Sequence, residues 1–336
     1  MKAINYGRAW LLALAAVLGI SNLLTAAPAS AQADPAASYP NRPIRVVVPF
    51  APGGGNDIFA RLVGQKLSDI LGQPVVAENK PGAGGRIAAE YVMNQPHDGY
   101  TLFVGASGVM SIAAAAYPNL SYHPTKTFKP LAMIASFPLI MVIPLDHPAK
   151  NVKELVDWAK KNPEKANYAA TSPAFIIASE LLKLKSGMPG QMIPYKSSNE
   201  MILSVVQGQT LLAISDGPPA IPMIKGGKVK AIAVTGSKRS SEIPDVPSMA
   251  EAGFPDVDTQ LWSGFFAAVD TPPAIAAKLE TALRRAISDP GVSEKLKGMA
   301  VTPGGDSTAD QFRAMIDKDI AGFQAIIKAA NLKFEN

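Results

Sequence analysis

Residues Ile44 to Leu62 read IRVVVPFAPGGGNDIFARL. The β-branched run from Ile44 to Phe50 ends at a Pro/Gly turn and reads as a buried strand. Ile58, Leu62, Leu67 and Leu71 then follow near helical spacing, and Gly72 stops the run. Between strand and helix lie three consecutive glycines, Gly53 to Gly55, which hold the backbone close to something. The same order recurs twice. PVVAEN, KPGAGGR and IAAEYVMNQ (Pro74 to Gln95) form a second strand, turn and helix, and YTLFVGAS (Tyr100 to Ser107) runs into a third small-residue turn. Three such units in about 75 residues argue for a parallel sheet with helical crossovers.

After LIMVIP (Leu139 to Pro144) the pattern restarts. Helices are expected at 152–162, 172–187, 199–209 and 218–227, and strands at 167–171, 190–196, 211–217 and 228–236. DVPSMAEAGFPDV (Asp245 to Val257) reads as a Pro-punctuated loop with one short helix. WSGFFAAV (Trp262 to Val269) is one more strand, and amphipathic helices over 273–289 and 308–331 close the chain. Two α/β units with a helical tail predict two lobes with a cleft between them. In open sheets ligands sit beyond the carboxyl ends of strands, where the glycine turns are.

With 48% apolar and 18% charged residues, the 336-residue chain reads as globular, with length for two domains. Lys2 and Arg8 precede the apolar stretch WLLALAAVLGISNLL, and ASA and AQA (Ala29 to Ala33) offer small-residue cleavage sites. Residues 1–33 therefore read as a cleaved export signal, and the mature protein as periplasmic. Loss of Lys2 and Arg8 lowers the net charge from +5 to +3. That charge is too small and dispersed for nucleic acid, but mildly favourable for a small anion. With no cysteine in the sequence, disulfides, a thioester lipid anchor and thiolate metal sites are excluded.

The glycine turns lack the Lys-Ser/Thr of a phosphate loop and the spacing of a dinucleotide fingerprint. Their free amides, with the positive end of a following helix, suffice for a carboxylate without any Arg or Lys. A single turn is better explained by tight geometry, with Asn56 or Asp57 capping the helix; three in succession favour binding. His97, His123 and His147 occupy loops without metal-ligand spacing, and no G-x-S-x-G elbow is present. No cofactor, metal or catalytic group is expected.

The stretches YPNRPIRVVVPFAPGGGNDIFARL, VVAENKPGAGG, DGYTLFVG, IPYK and IPDVPSMAEAGFP resemble the Bug-type extracytoplasmic solute receptors, similar to the substrate-binding components of tripartite tricarboxylate transporters. The resemblance runs from about Tyr39 to the C-terminus. It implies an α/β, two-lobed periplasmic-binding-protein fold, type II-like, with two crossover segments and a central ligand cleft. Lobe 1 is expected to hold residues 34–143 and 264–336, and lobe 2 residues 144–263.

The family's ligands are small carboxylates and amino acids, held largely through backbone amides and ordered water. By position, lobe 1 would supply Phe50, Ala51, Gly53, Gly54, Asp57 and Ser107. Lobe 2 would supply Thr171, Ser172, Phe175 and Asp216. The chain departs from the family pattern at Ser197, where Gly is common, and at Arg86, where an uncharged residue is common. Each brings a polar group to a site turn, and Ser197 joins the candidate set. Asp57 beside the anion is expected to repel a second carboxylate and welcome an ammonium, a hydroxyl or a bridging water. The implied role is a monomeric receptor delivering its ligand to membrane permease subunits. A receptor signalling through a sensor protein is the alternative, and an exported hydrolase a remote one.

Overall fold

The computed structural model describes residues 36–334. The expected export signal lies outside them. β1 (Ile44–Val48) sits between β2 (Val75–Asn79) and β3 (Thr101–Ala106), parallel to both. The first glycine turn leads from β1 into α1 (Gly55–Leu71), which ends at Gly72 with φ 69°. The second leads from β2 into α2 (Arg86–Met93). After β3 a single π-helical turn, Gly108–Ile112, runs into the short α3 (Ala113–Ala116).

The sheet is not wholly parallel as the repeating rhythm predicts. Its order is β11-β4-β10-β3-β1-β2, where β4 is Phe128–Pro138, β10 is Gln260–Ala268 and β11 is Thr302–Pro303. β10 runs antiparallel to both β3 and β4, because it arrives from the other lobe rather than through a helical crossover.

β4 is the strand missing from the sequence reading. Pro130 and Pro138 interrupt it, and proline in a run argues against a central strand. The structure accommodates Pro130 opposite Phe266, where the β4–β10 register shifts. A β-bulge is one of the few places where a sheet tolerates proline.

The second sheet has the order β7-β6-β8-β5-β9. Its members are β5 (Ile140–Pro144), β6 (Tyr168–Ala170), β7 (Met192–Pro194), β8 (Leu212–Ser215) and β9 (Val229–Val234). β6 is parallel to β7 and β8, and β5 is antiparallel to β8 and β9. α4 (Val152–Lys161), α5 (Pro173–Ser186), α6 (Ser198–Val206) and α7 (Gly217–Lys225) connect these strands. The chain leaves the first sheet after Pro138 and re-enters it at Gln260. Those points lie a few residues from the divisions at 143/144 and 263/264 that the family pattern implies.

No helix forms over Asp245 to Val257. Ser248 and Glu251 exchange the bonds of a helix start, Glu251 N–H to Ser248 Oγ (3.2 Å) and Ser248 N–H to Glu251 Oε2 (2.8 Å). Gly253 then turns the chain at φ 90°, and Ser248 bridges to Val234 at the sheet edge instead. α8 (Pro273–Ile287), the unforeseen α9 (Pro290–Lys297) and α10 (Ala309–Ala329) complete the chain, with α8 and α10 packed on β4. α10 buries Phe312 against Trp262 and Phe266, with ring centroids 5.0 and 5.4 Å apart. Such aromatic pairs contribute about 0.5–1.5 kcal/mol each beyond their burial.

Candidate functional site

The carboxyl ends of β1, β2 and β3 all open toward the second sheet, and each glycine turn of lobe 1 meets a helix N-terminus of lobe 2. In the first turn Gly53 has φ +85°, a conformation that requires glycine, and Gly54 is the N-cap of α1. The Ala51 N–H donates across the cleft to the Lys196 carbonyl (3.0 Å). The Gly55 N–H donates to Ser198 Oγ (3.3 Å) at the start of α6. A Cβ on Gly55 would lie 1.9 Å from Asp216 Oδ2, and one on Gly54 3.3 Å from Ser198 Oγ.

The second turn, at Gly84, faces Thr171 to Pro173, and Gly108 of the third faces Ser172 and Ala174. The absence of side chains in these turns thus lets the opposite lobe approach. The sequence reading had assigned that space to a ligand.

A cavity of about 20 Å³ remains inside. It is lined by Phe50, Phe137, Phe175, Leu261 and Trp262 on its apolar side, and by Asn56, Ser107, Ser172 and Asp216 on its polar side. That volume holds about one water, too little for an organic acid.

Among the lining residues Asp216 alone is ionisable, and it is 3% exposed. Burial raises its carboxyl above the usual range, opposed by hydrogen bonds from the hydroxyls of Ser198 and Ser215 and the amide of Gly55. Ser107 Oγ accepts from the Trp262 N–H (2.7 Å) and its own N–H donates to the Trp262 carbonyl (3.0 Å), stitching β3 to β10 at the cavity wall. The Trp262 indole is fixed in turn by Asp319, 2.7 Å away.

Asp57 does not face the cavity. Its carboxylate accepts from Arg61 Nε (3.0 Å), Asn79 Nδ2 (2.9 Å) and the Gly53 N–H (3.0 Å). Burial would raise its pKa, but these donors outweigh it and hold the carboxyl below its usual value. Asp57 fixes the shape of the glycine turn instead of facing a ligand's second carboxylate.

Ser197 accepts from the Glu200 N–H (3.2 Å) and caps α6, so its hydroxyl is spent on the helix. Arg86 stacks on Tyr117 at 4.1 Å instead of lining the cavity. Ser172 is the backbone N-cap of α5, yet its hydroxyl makes no capping bond and lies on the cavity wall. Thr171 is half-buried beside Gly84.

The sequence profile of the Tripartite tricarboxylate transporter family receptor matches residues 59–332. The chain belongs to this receptor family. Protein BugT of Bordetella pertussis is 31% identical over 325 residues, covering 96% of this chain and 98% of the relative. Among solved structures, periplasmic binding protein BugD superposes with a TM-score of 0.85 at 31% identity, over 88% of this chain and all of that one. A Rhodopseudomonas palustris protein solved with bound malate gives 0.82 at 30% identity, over 86% and 100%. A second from R. palustris, solved with adipate, gives 0.83 at 30%, over 88% and 99%. The receptor's α/β two-lobed periplasmic-binding fold is therefore established.

Of the expected site residues, Phe50, Ser107, Ser172, Phe175 and Asp216 line the cavity. Ala51, Gly53 and Gly54 lie in the lobe-to-lobe contact. Sequence reasoning missed Asn56, Phe137, Ser198, Leu261 and Trp262. Ser198 carried a signal, since it opens a helix directly after a capping serine. Phe137 and Leu261 belong to β4 and β10, whose pairing across more than a hundred residues no local pattern shows.

Each histidine is tied into its own turn. His97 contacts the Met93 carbonyl (3.2 Å), Thr125 N–H donates to His123 Nδ1 (3.2 Å), and Ala149 N–H to His147 Nδ1 (3.2 Å). His147 is buried edge-on against Trp158. Among the described residues no acidic or histidine cluster could hold a metal ion, and no helix is long and apolar enough to cross a membrane.

Proposed function

We propose that this chain is exported by residues 1–33 and works as a periplasmic receptor. It captures a small organic carboxylate between its lobes and presents it to the permease of a tripartite tricarboxylate-type transporter. The observation that carries this reading is one cavity between the lobes, walled by Gly108 of the third glycine turn and by the starts of α1, α5 and α7, whose lining holds no lysine, arginine or histidine. Backbone amides and helix dipoles are then the groups that neutralise the ligand's charge. Malate and adipate, bound by the two R. palustris relatives, belong to the same chemical class.

The lobes are held together in part by two hydrogen bonds, Ala51 to Lys196 and Gly55 to Ser198. These break on opening and re-form as the ligand is enclosed, which is hinge closure. After unfolding and refolding to strip retained solute, thermal stability is measured against organic acids, sugars and nucleotides. Saturation at 100 times Kd adds about 2.7 kcal/mol. A shift with sugars or nucleotides and none with any acid would refute the reading.

A further inference from the structure

The strands that pass between the lobes present two faces. β4 and β10 pair Phe137 with Leu261 and Pro138 with Gln260. Residues paired across two strands share a face, and successive residues alternate between faces. Phe137 and Leu261 line the cavity between the lobes. Pro138 and Gln260 line a separate groove of about 790 Å³ on the reverse side. One wall of the groove is the segment after β9, which is tied to lobe 2. The Val234 N–H donates to the Pro247 carbonyl (2.9 Å), and Lys185 of α5 pairs with Asp256 (2.7 Å). The other wall is α9 and the residues entering β11, which are tied to lobe 1. Lys66 of α1 pairs with Asp289 ahead of α9 (2.7 Å), and β11 belongs to the first sheet. Among the described residues no hydrogen bond or ion pair joins the two walls. Their bonded charges turn away from the groove's far side, Arg239 to Glu251 and Glu242 to Lys225.

Thr235, directly after β9, is 1% exposed and sits where the crossovers meet. Its hydroxyl accepts from the Leu139 N–H (2.8 Å) and donates to the Thr259 carbonyl (2.7 Å). Its own N–H donates to the Leu139 carbonyl (2.7 Å). Leu139 follows β4 and Thr259 precedes β10, so one lobe 2 side chain clasps both crossovers at one point.

Resting on the closure proposed above, but not on the identity of the ligand, we infer that this clasp is the pivot of the hinge and that the groove moves opposite to the cleft. Rotation about the clasp carries the walls on its two sides in opposite senses. The groove therefore widens as the cleft closes and narrows as it opens. In this structure the lobes touch across the cleft, which puts the groove at the wide end of its travel. Whatever spreads the groove favours the closed lobes and tightens ligand binding; whatever draws its walls together weakens it. Affinity is thus set from a second place that never touches the ligand.

The absence of cysteine from the sequence makes the test clean. Ser237→Cys and Lys297→Cys place one exposed thiol on each wall of the groove. Trp10→Phe and Trp158→Phe leave Trp262, on the cleft cavity, as the sole tryptophan. The refolded full chain is cross-linked with a two-carbon bis-maleimide or with a long rigid one, and acrylamide quenching of Trp262 is read without any ligand. The short linker draws the groove shut and should open the cleft, quenching Trp262 at least twofold more than the long linker does. Thr235→Val keeps the side-chain shape without the hydroxyl and should halve that difference, and Thr235→Ser should restore it.

The linker pair decides without the variant, should the variant fold poorly. More quenching with the long linker, or a short linker that never closes where the long one does, would overturn the opposed groove and leave hinge closure standing. Equal quenching with both linkers would overturn closure as well, while the carboxylate reading still rests on the acid panel. A full linker response in folded Thr235→Val would remove the clasp as the pivot.

Discussion

Gly55→Ala isolates the cleft contact from the fold. Gly55 is the first residue of α1 and its φ is not positive, so alanine fits the backbone and raises helix propensity by up to about 1 kcal/mol. The added methyl lands 1.9 Å from Asp216 Oδ2, whereas real Cβ contacts essentially never fall under 3.0 Å. The lobes must therefore stand off by about an ångström, or Asp216 must abandon its bonds. Overpacking of this kind costs about 1–3 kcal/mol, charged to the closed state alone. At 1.4 kcal/mol per tenfold, affinity for the tightest-binding acid falls by about 5- to 150-fold, mostly through faster dissociation.

Two companions grade the effect. A Cβ on Gly54 would sit 3.3 Å from a rotatable hydroxyl, so Gly54→Ala should lose only a few-fold. Gly322 lies within α10 with open space around it, so Gly322→Ala should stabilise the protein and leave affinity unchanged. Calorimetric titration with thermal unfolding of each variant is the assay. Wild-type affinity in a folded Gly55→Ala protein would show that the Gly55–Asp216 approach plays no part in the ligand-bound form.

Asp57→Asn should destabilise the protein at neutral pH and weaken binding through a loosened glycine turn. Because the native carboxyl titrates below its unfolded value, Asp57 stabilises the fold above about pH 4 and loses that contribution as pH falls through its lowered pKa. The variant's stability should accordingly depend less on pH in acid, read by urea unfolding from pH 2 to 7; an unchanged acid limb would contradict this. Ser197→Ala removes the α6 cap and should cost about 1 kcal/mol of stability, with little change in ligand preference; a reordered ligand series would return Ser197 to the site. Ser172→Ala should do the opposite, costing well under the usual ~1 kcal/mol of a lost cap while weakening affinity, since its hydroxyl does not cap α5. Equal affinity with lowered stability would reverse that assignment.

Much of lobe 1 was legible because its signals are local. The Ile44 to Val48 run, the glycine turns and the periodic apolar positions of α1 each act within a few residues. What escaped depends on distant partners. β4 contains two prolines, and it is a strand through its bulged pairing with β10 and a short pairing with β11. Asp57 looks like a ligand-facing acid from its place beside three glycines. Its role is decided by Arg61, one turn along its own helix, and by Asn79 at the end of β2. That the opposite lobe approaches the glycine turns was illegible for the same reason, since a missing Cβ says that something comes close without naming it. Ser172 was recognised as a helix start, but only the geometry shows its hydroxyl turned from that duty.

The place of β10 bears on when the protein can become a protein at all. β3 ends at Ala106 and the strand that must lie beside it ends at Ala268, so about 160 residues are made before the gap between β3 and β4 can be filled. At a synthesis rate of about 5–20 residues per second, that interval is roughly 8 to 32 s. Lobe 2, whose sheet is drawn from the unbroken stretch Ile140–Val234, has every strand in hand earlier. A nascent chain shorter than β10 thus carries β4 without its principal neighbour, and its first sheet stays open. Under the export proposed for residues 1–33, a keystone strand that arrives late leaves the chain threadable until that strand is made.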